Sequence, residues 1–179
     1  MGPDAYGHNV KDYGDIAPRK VSVPPHRNEA IHHLDQTIGW ALELEEIAHD
    51  TASRGDFPIF LGGDHSLSIG SIPGITRAAQ DKGQEQFVLW LDAHPDFHTL
   101  DSTDSGNLHG TPTAYFTGGS GFEGIYPELK AAVSPKNVCM MGIRSVDTAE
   151  RQSLAQNEVQ VFDMRSLDGS SKGCSALKP

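Results

Sequence analysis

Apolar positions fall in short blocks separated by polar and glycine-rich stretches, and the blocks alternate between two spacings. Residues 87–91 (FVLWL) are five consecutive apolar residues rich in aromatic and branched side chains, ended abruptly by Asp92. Such a run predicts a strand buried on both faces. Residues 58–61, 138–143 and 159–162 predict further strands, and 10–13 a short one before Gly14 and Asp15. Between them the spacing changes to three and four. From 28 to about 52, Ile31, Leu34, Ile38, Ala41 and Leu42 mark one helix face, with Asn28 as its N-cap and with His32 and His33 on its surface. Residues 67–79 predict a helix despite Pro73, and shorter helices are expected over 126–132 and 148–155. Strand–helix steps in succession imply parallel pairing through right-handed crossovers. The expected fold class is therefore α/β, a layered parallel sheet with helices on both faces. Residues 101–124, rich in Gly, Ser and Thr, read as a long loop of the kind that carries function in a compact domain.

The polar residues that end two of these blocks change the picture from fold to chemistry. Asp92, His94 and Asp96 follow residues 87–91 at intervals of two. In extended chain such residues project to one side, and Pro95 places them at the strand's carboxyl tip. Two carboxylates and an imidazole suit a divalent metal that accepts mixed nitrogen and oxygen ligands, such as Mn2+. A polar loop whose acids cap the next helix would use the same residues. The 58–61 block ends in Gly62-Gly63-Asp64-His65-Ser66. Its glycines permit a tight turn that presents His65, and Asp64 or Ser66 as a cap would fix that turn. In open α/β sheets ligands gather beyond the carboxyl ends of the strands, and His65, the Asp92–Asp96 triplet and Asp147 all follow strand candidates.

Composition narrows the partners. A length of 179 residues fits one domain. The mean hydropathy of −0.41 is that of a polar, water-soluble chain. No apolar run approaches a membrane span, and no basic-then-apolar leader opens the sequence. The formal charge of −10 argues against nucleic acid and anionic membrane as partners and weakly favours a cationic substrate. Two cysteines, Cys139 and Cys174, make no disulfide framework, so a reducing, cytoplasmic location is expected.

GGDHS at 62–66 and DAHPD at 92–96 resemble two signatures of the ureohydrolases, the arginase and agmatinase family of dimanganese hydrolases. SGNLHG at 105–110, MGPDA at 1–5 and GIRSVD at 142–147 resemble the arginase branch. The resemblance runs in one order over residues 1–168, which implies a partial ureohydrolase domain there and an unrelated, disordered tail over 169–179. It implies two Mn2+ ions bridged by Asp92, with His65 and Asp96 on one ion and His94 on the other. His109 would be the catalytic proton shuttle. Ser105, Asn107, Asp147 and Glu150 would hold the amino-acid end of the substrate, although Asp147 and Glu150 equally suit the first turn of a helix.

Many arginases carry a small polar pair ending in Asn after the DAHPD-type motif, where this chain has Phe97-His98. His98 would either replace that amide against a substrate carboxylate or mark a different specificity. The implied reaction is hydrolysis of the guanidinium of L-arginine to ornithine and urea by a manganese-activated hydroxide. Agmatine or formiminoglutamate hydrolysis, and a non-catalytic metal-binding fragment, are the alternatives. The intact family implies a homo-oligomer. It also supplies a later Asp-x-Asp pair and a later acid against the guanidinium. Nothing after Asp96 offers Asp-x-Asp, and Asp163 and Asp168 stand in another context. No strand precedes MGPDA. A truncated chain is expected on these grounds, holding one metal or none, with little activity, an open sheet edge and an uncovered apolar face.

Overall fold

Three short parallel strands organise the computed structural model, which describes residues 7–168. The MGPDA motif, Cys174 and the 169–179 tail lie outside the described residues. The strands are β1 (Val88–Leu91), β2 (Val138–Ile143) and β3 (Gln160–Asp163), hydrogen-bonded in the order β1-β2-β3. Val88 lies opposite Val138 and Trp90 opposite Met140, while Cys139 lies opposite Gln160. Five helices accompany them among the described residues: α1 (Leu34–Ser53), α2 (Ser68–Asp81), α3 (Pro112–Phe116), α4 (Thr148–Gln156) and α5 (Met164–Asp168). Parallel neighbours need a crossover, and α4 supplies the one between β2 and β3.

One face of the sheet carries the core. Trp90, Val138 and Met140 are buried there in a cluster with Ile38 and Ala41 of α1, Ile69 of α2, Phe116 of α3 and Leu154 of α4. Helices α1 and α2 approach closely because Gly70 and Gly74, one turn apart, face α1. A Cβ there would meet Ala41 O at 2.4 Å and Glu45 O at 2.3 Å. Arg77 of α2 clamps the same pair by donating to Glu45, Glu46 and His49 Nδ1.

Several sequence expectations need correction. The 87–91 run is buried on one face only, for Leu89 and Leu91 are 59% and 70% exposed. Among the described residues no helix covers them. Residues 58–61 form no strand, and Phe57, Ile59 and Leu61 stand in water. A strand needs a ladder partner as well as an apolar sequence, and this block has none among the described residues. Residues 10–13 are likewise unpaired, and Tyr13 OH accepts from Arg54 instead.

Helix α1 starts at Leu34 rather than Asn28, because His33 adopts a left-handed conformation (φ 58). Asn28 is used elsewhere, its amide donating to Leu100 O and Thr103 O. Residues 126–132 are not helical. Tyr126 is buried in an aromatic cluster with Tyr115 and Phe122, and Tyr115 OH donates to Pro127 O, so tertiary contacts override the local spacing. The 101–124 loop contains α3 and a 3-10 turn at Leu108–Gly110. No described helix is long and apolar enough to cross a membrane.

Candidate metal centre

Asp64 builds the turn that presents His65. Its Oδ1 accepts the Ser66 N–H at 2.8 Å and caps the 3-10 turn His65–Leu67. The His65 ring then packs edge-on to Trp90 with centroids 5.6 Å apart. Its Nδ1 lies 2.6 Å from Asp96 Oδ2 and its Nε2 3.0 Å from Asp92 Oδ2.

The DAHPD loop is pinned at three points. Asp92 N–H donates to Met141 O just past β1. Arg144 and Ser145, following β2, both donate their N–H groups to Ala93 O, at 2.9 and 3.0 Å. Asp96 itself has φ 50, a left-handed conformation that costs about 1 kcal/mol or more for a residue with a Cβ. Thr113 of α3 holds it there. Its N–H donates to Asp96 O, and its Oγ1 lies 2.6 Å from both Pro95 O and Asp96 O.

Asp96 is 5% exposed. Burial pushes its carboxyl above the usual range; the His65 bond opposes this, while Asp92 and Glu150 add to it. Donor atoms of His65, Asp92 and Asp96 lie within 4.8 Å of one another. Two crowded carboxylates, one of them in a site that disfavours its anion, with an imidazole between them, fit a divalent cation, which would relieve both penalties. His94 stands beside this trio, its Nδ1 3.7 Å from Asp92 Oδ1 and its side chain 58% exposed.

A pocket of about 380 Å³ opens over the trio. His65, His94 and Asp96 line it, together with His98, Ser105, Asn107, His109 and Glu150. Asp92 and Asp147 adjoin it through their contacts with His65 and His98. The 105–110 loop reaches the pocket by lying on residues 28–31. Gly106 has φ 70, and a Cβ there would fall 1.8 Å from Ala30 O. Only glycine combines that conformation with that approach.

His109 lines the pocket, half exposed, its Nδ1 4.0 Å from Asp64 Oδ2. His98 Nε2 lies 2.9 Å from Asp147 Oδ2 and 3.8 Å from Glu150 Oε1. Donor atoms of those three residues also fall within 4.8 Å of one another. Asp147 is the N-cap of α4, accepting the Glu150 N–H at 2.8 Å, so the helix-start role and the pocket position coexist.

Two pocket contacts were not anticipated from the sequence. His32, read as a helix-surface residue, places Nε2 3.2 Å from Asn107 Oδ1. Asp64, read only as a cap, also lines the pocket. Neither carries a local signal, because each depends on a contact with a distant segment.

The arginase family model matches residues 2–175. The arginase of Brucella suis is 52% identical over 180 residues, covering 94% of this chain and 58% of that protein. The arginase of Agrobacterium fabrum is 51% identical, covering 94% and 55%. Among solved structures, the arginase of Bacillus subtilis superposes with a TM-score of 0.77 at 29% identity, covering 96% of this chain and 56% of its own. The arginase of Bacillus caldovelox superposes with a TM-score of 0.79 at 25% identity, covering 96% and 57%. The chain thus spans a little over half the length of the relatives it matches. On these matches, and on the layered parallel sheet they share, the chain belongs to the arginase family.

Proposed function

We propose that the chain binds Mn2+ through His65, Asp92 and Asp96, with His94 adjoining. We propose further that this site serves arginase-type hydrolysis of L-arginine to ornithine and urea. The observation that carries the reading is the convergence of His65 and the Asp92–Asp96 triplet, from two separate segments, beneath a pocket walled by polar groups. Bound there, manganese would supply Lewis-acid activation of a water for attack on a resonance-stabilised guanidinium.

The chain's own residues bind, orient and move a proton. Ser105 and Asn107 offer a hydroxyl and an amide to a substrate carboxylate, and Asp147 and Glu150 offer acceptors to its ammonium. The carboxylate-binding Ser105 and Asn107 would be idle with agmatine, which favours an amino-acid substrate. His109, beside Asp64 in the pocket lining, holds a proton that the leaving amine can take. Residues 1–168 are the unit assigned to this function, and the low cysteine content supports a cytoplasmic location.

Urea release from L-arginine at saturating Mn2+ tests the reading. His65, Asp92, His94 and Asp96 are too few donors for a well-held pair of ions, so release by this chain is expected near background. Whatever is released should vanish in the His65→Ala Asp92→Ala double variant. In an intact version of the enzyme, His109→Asn should lower kcat with metal content unchanged and KM little altered. Robust release lost in the double variant would mean that other groups complete the pair. Release that survives the double variant would overturn the proposal.

A further inference from the structure

The sequence gives His98 two possible roles, a substrate-carboxylate contact or a mark of different specificity, yet both of its ring nitrogens already have partners. Nδ1 lies 3.1 Å from Ser102 Oγ. That oxygen accepts the Thr99 N–H at 2.9 Å, so its own hydrogen is available to Nδ1. Nε2 lies 2.9 Å from Asp147 Oδ2. A carboxylate only accepts, so Nε2 carries the hydrogen of that bond. The His98 N–H donates to Gly110 O, which ties the residue to the end of the 105–110 loop.

The two acids are fixed from their other sides. Asp147 Oδ1 accepts the Glu150 N–H, and Glu150 Oε1 accepts the Phe97 N–H at 3.1 Å. The Glu150 side chain is 7% exposed and lines the pocket. We propose that His98 is a positioning residue: buttressed by Ser102, it clamps Asp147 beside Glu150, so that the two carboxylates receive the ammonium of an α-amino-acid ligand. This rests on the reading of the pocket as a guanidino amino-acid site. Two carboxylates face one ring donor, which leaves the wall rich in acceptors and suited to a further cation. A direct contact between His98 and a ligand carboxylate would require the Nε2 hydrogen that Asp147 already takes.

Calorimetric titration of the chain in Mn2+ with three ligands separates the roles: L-arginine, 5-guanidinovalerate, which lacks the ammonium, and agmatine, which lacks the carboxylate. Wild type is expected to bind arginine about tenfold more tightly than guanidinovalerate. In His98→Asn, whose amide reaches the Nδ1 position but not the Nε2 position, that ratio should fall to about twofold or less. The arginine-to-agmatine ratio should stay within about twofold of wild type. His98→Gln, which can place an amide nitrogen near Asp147, should recover most of the first ratio. A fall in the agmatine ratio alone would make His98 the carboxylate contact and overturn the proposal. So would a wild type that shows no preference for the ammonium. Affinity is read here without turnover, so urea release that survives the His65→Ala Asp92→Ala double variant, with these ratios intact, would sink the hydrolase reading and leave this inference standing.

Discussion

Asp92→Ala is expected to lower Mn2+ affinity by about a hundredfold or more, the largest single effect on the metal site. The Asp92 carboxylate approaches both histidine rings of the motifs, 3.0 Å from His65 Nε2 and 3.7 Å from His94 Nδ1. Its backbone stays fixed by the bond to Met141 O, so truncation leaves a gap that neighbours cannot fill. Only His65 and the buried Asp96 would then remain of the trio. The metal-free protein should not suffer, because removing Asp92 relieves its repulsion of Asp96. His109→Ala, outside the His65, Asp92 and Asp96 trio, should change metal affinity little. Equal losses from the two variants in calorimetric titration would contradict the assignment.

Gly106→Ala is expected to be the most destabilising exchange in the pocket loop, by about 3 kcal/mol or more. Two costs add. An alanine at φ 70 is strained by about 1 kcal/mol or more, and its Cβ would fall 1.8 Å from Ala30 O, far inside any contact distance. The segment 28–31 cannot yield easily, since the Asn28 amide is bonded to Leu100 O and Thr103 O. The loop would instead lift, carrying Ser105 and Asn107 away from the pocket. Denaturant unfolding should show the loss, and arginine binding should fail while Mn2+ binding persists. A variant within about 0.5 kcal/mol of wild type would contradict this account of the loop.

These two sites differ in how much of them the sequence revealed. That His65, Asp92 and Asp96 meet was legible because the signal is local: a run that stops, a spacing of two, a glycine turn with a capping Asp. Helices α2 and α4 and strand β2 were legible for the same reason, since periodicity and caps act within a few residues. The start of α1 was not. Asn28 has the chemistry of a cap, but its amide bonds residues more than seventy positions away, and His33 breaks the turn instead.

Residues 58–61 misled in the opposite direction. Their side chains have strand chemistry, but pairing depends on a neighbour that composition does not reveal. Strand β1 is apolar on both faces in sequence, yet only Trp90 and Val88 turn toward the core cluster. The clamp of Thr113 on Asp96 and the contact of His32 with Asn107 are tertiary, and no spacing encodes them.

Locating manganese by anomalous scattering in crystals grown with Mn2+ tests the central claim most directly. The account predicts one strong peak at the carboxyl end of β1, about 2.0–2.4 Å from a His65 nitrogen and from carboxylate oxygens of Asp92 and Asp96. The bonds that His65 makes to those carboxylates should be broken in favour of the ion. A peak among His98, Asp147 and Glu150 instead, or no peak with His65 still bonded to Asp96, would contradict it.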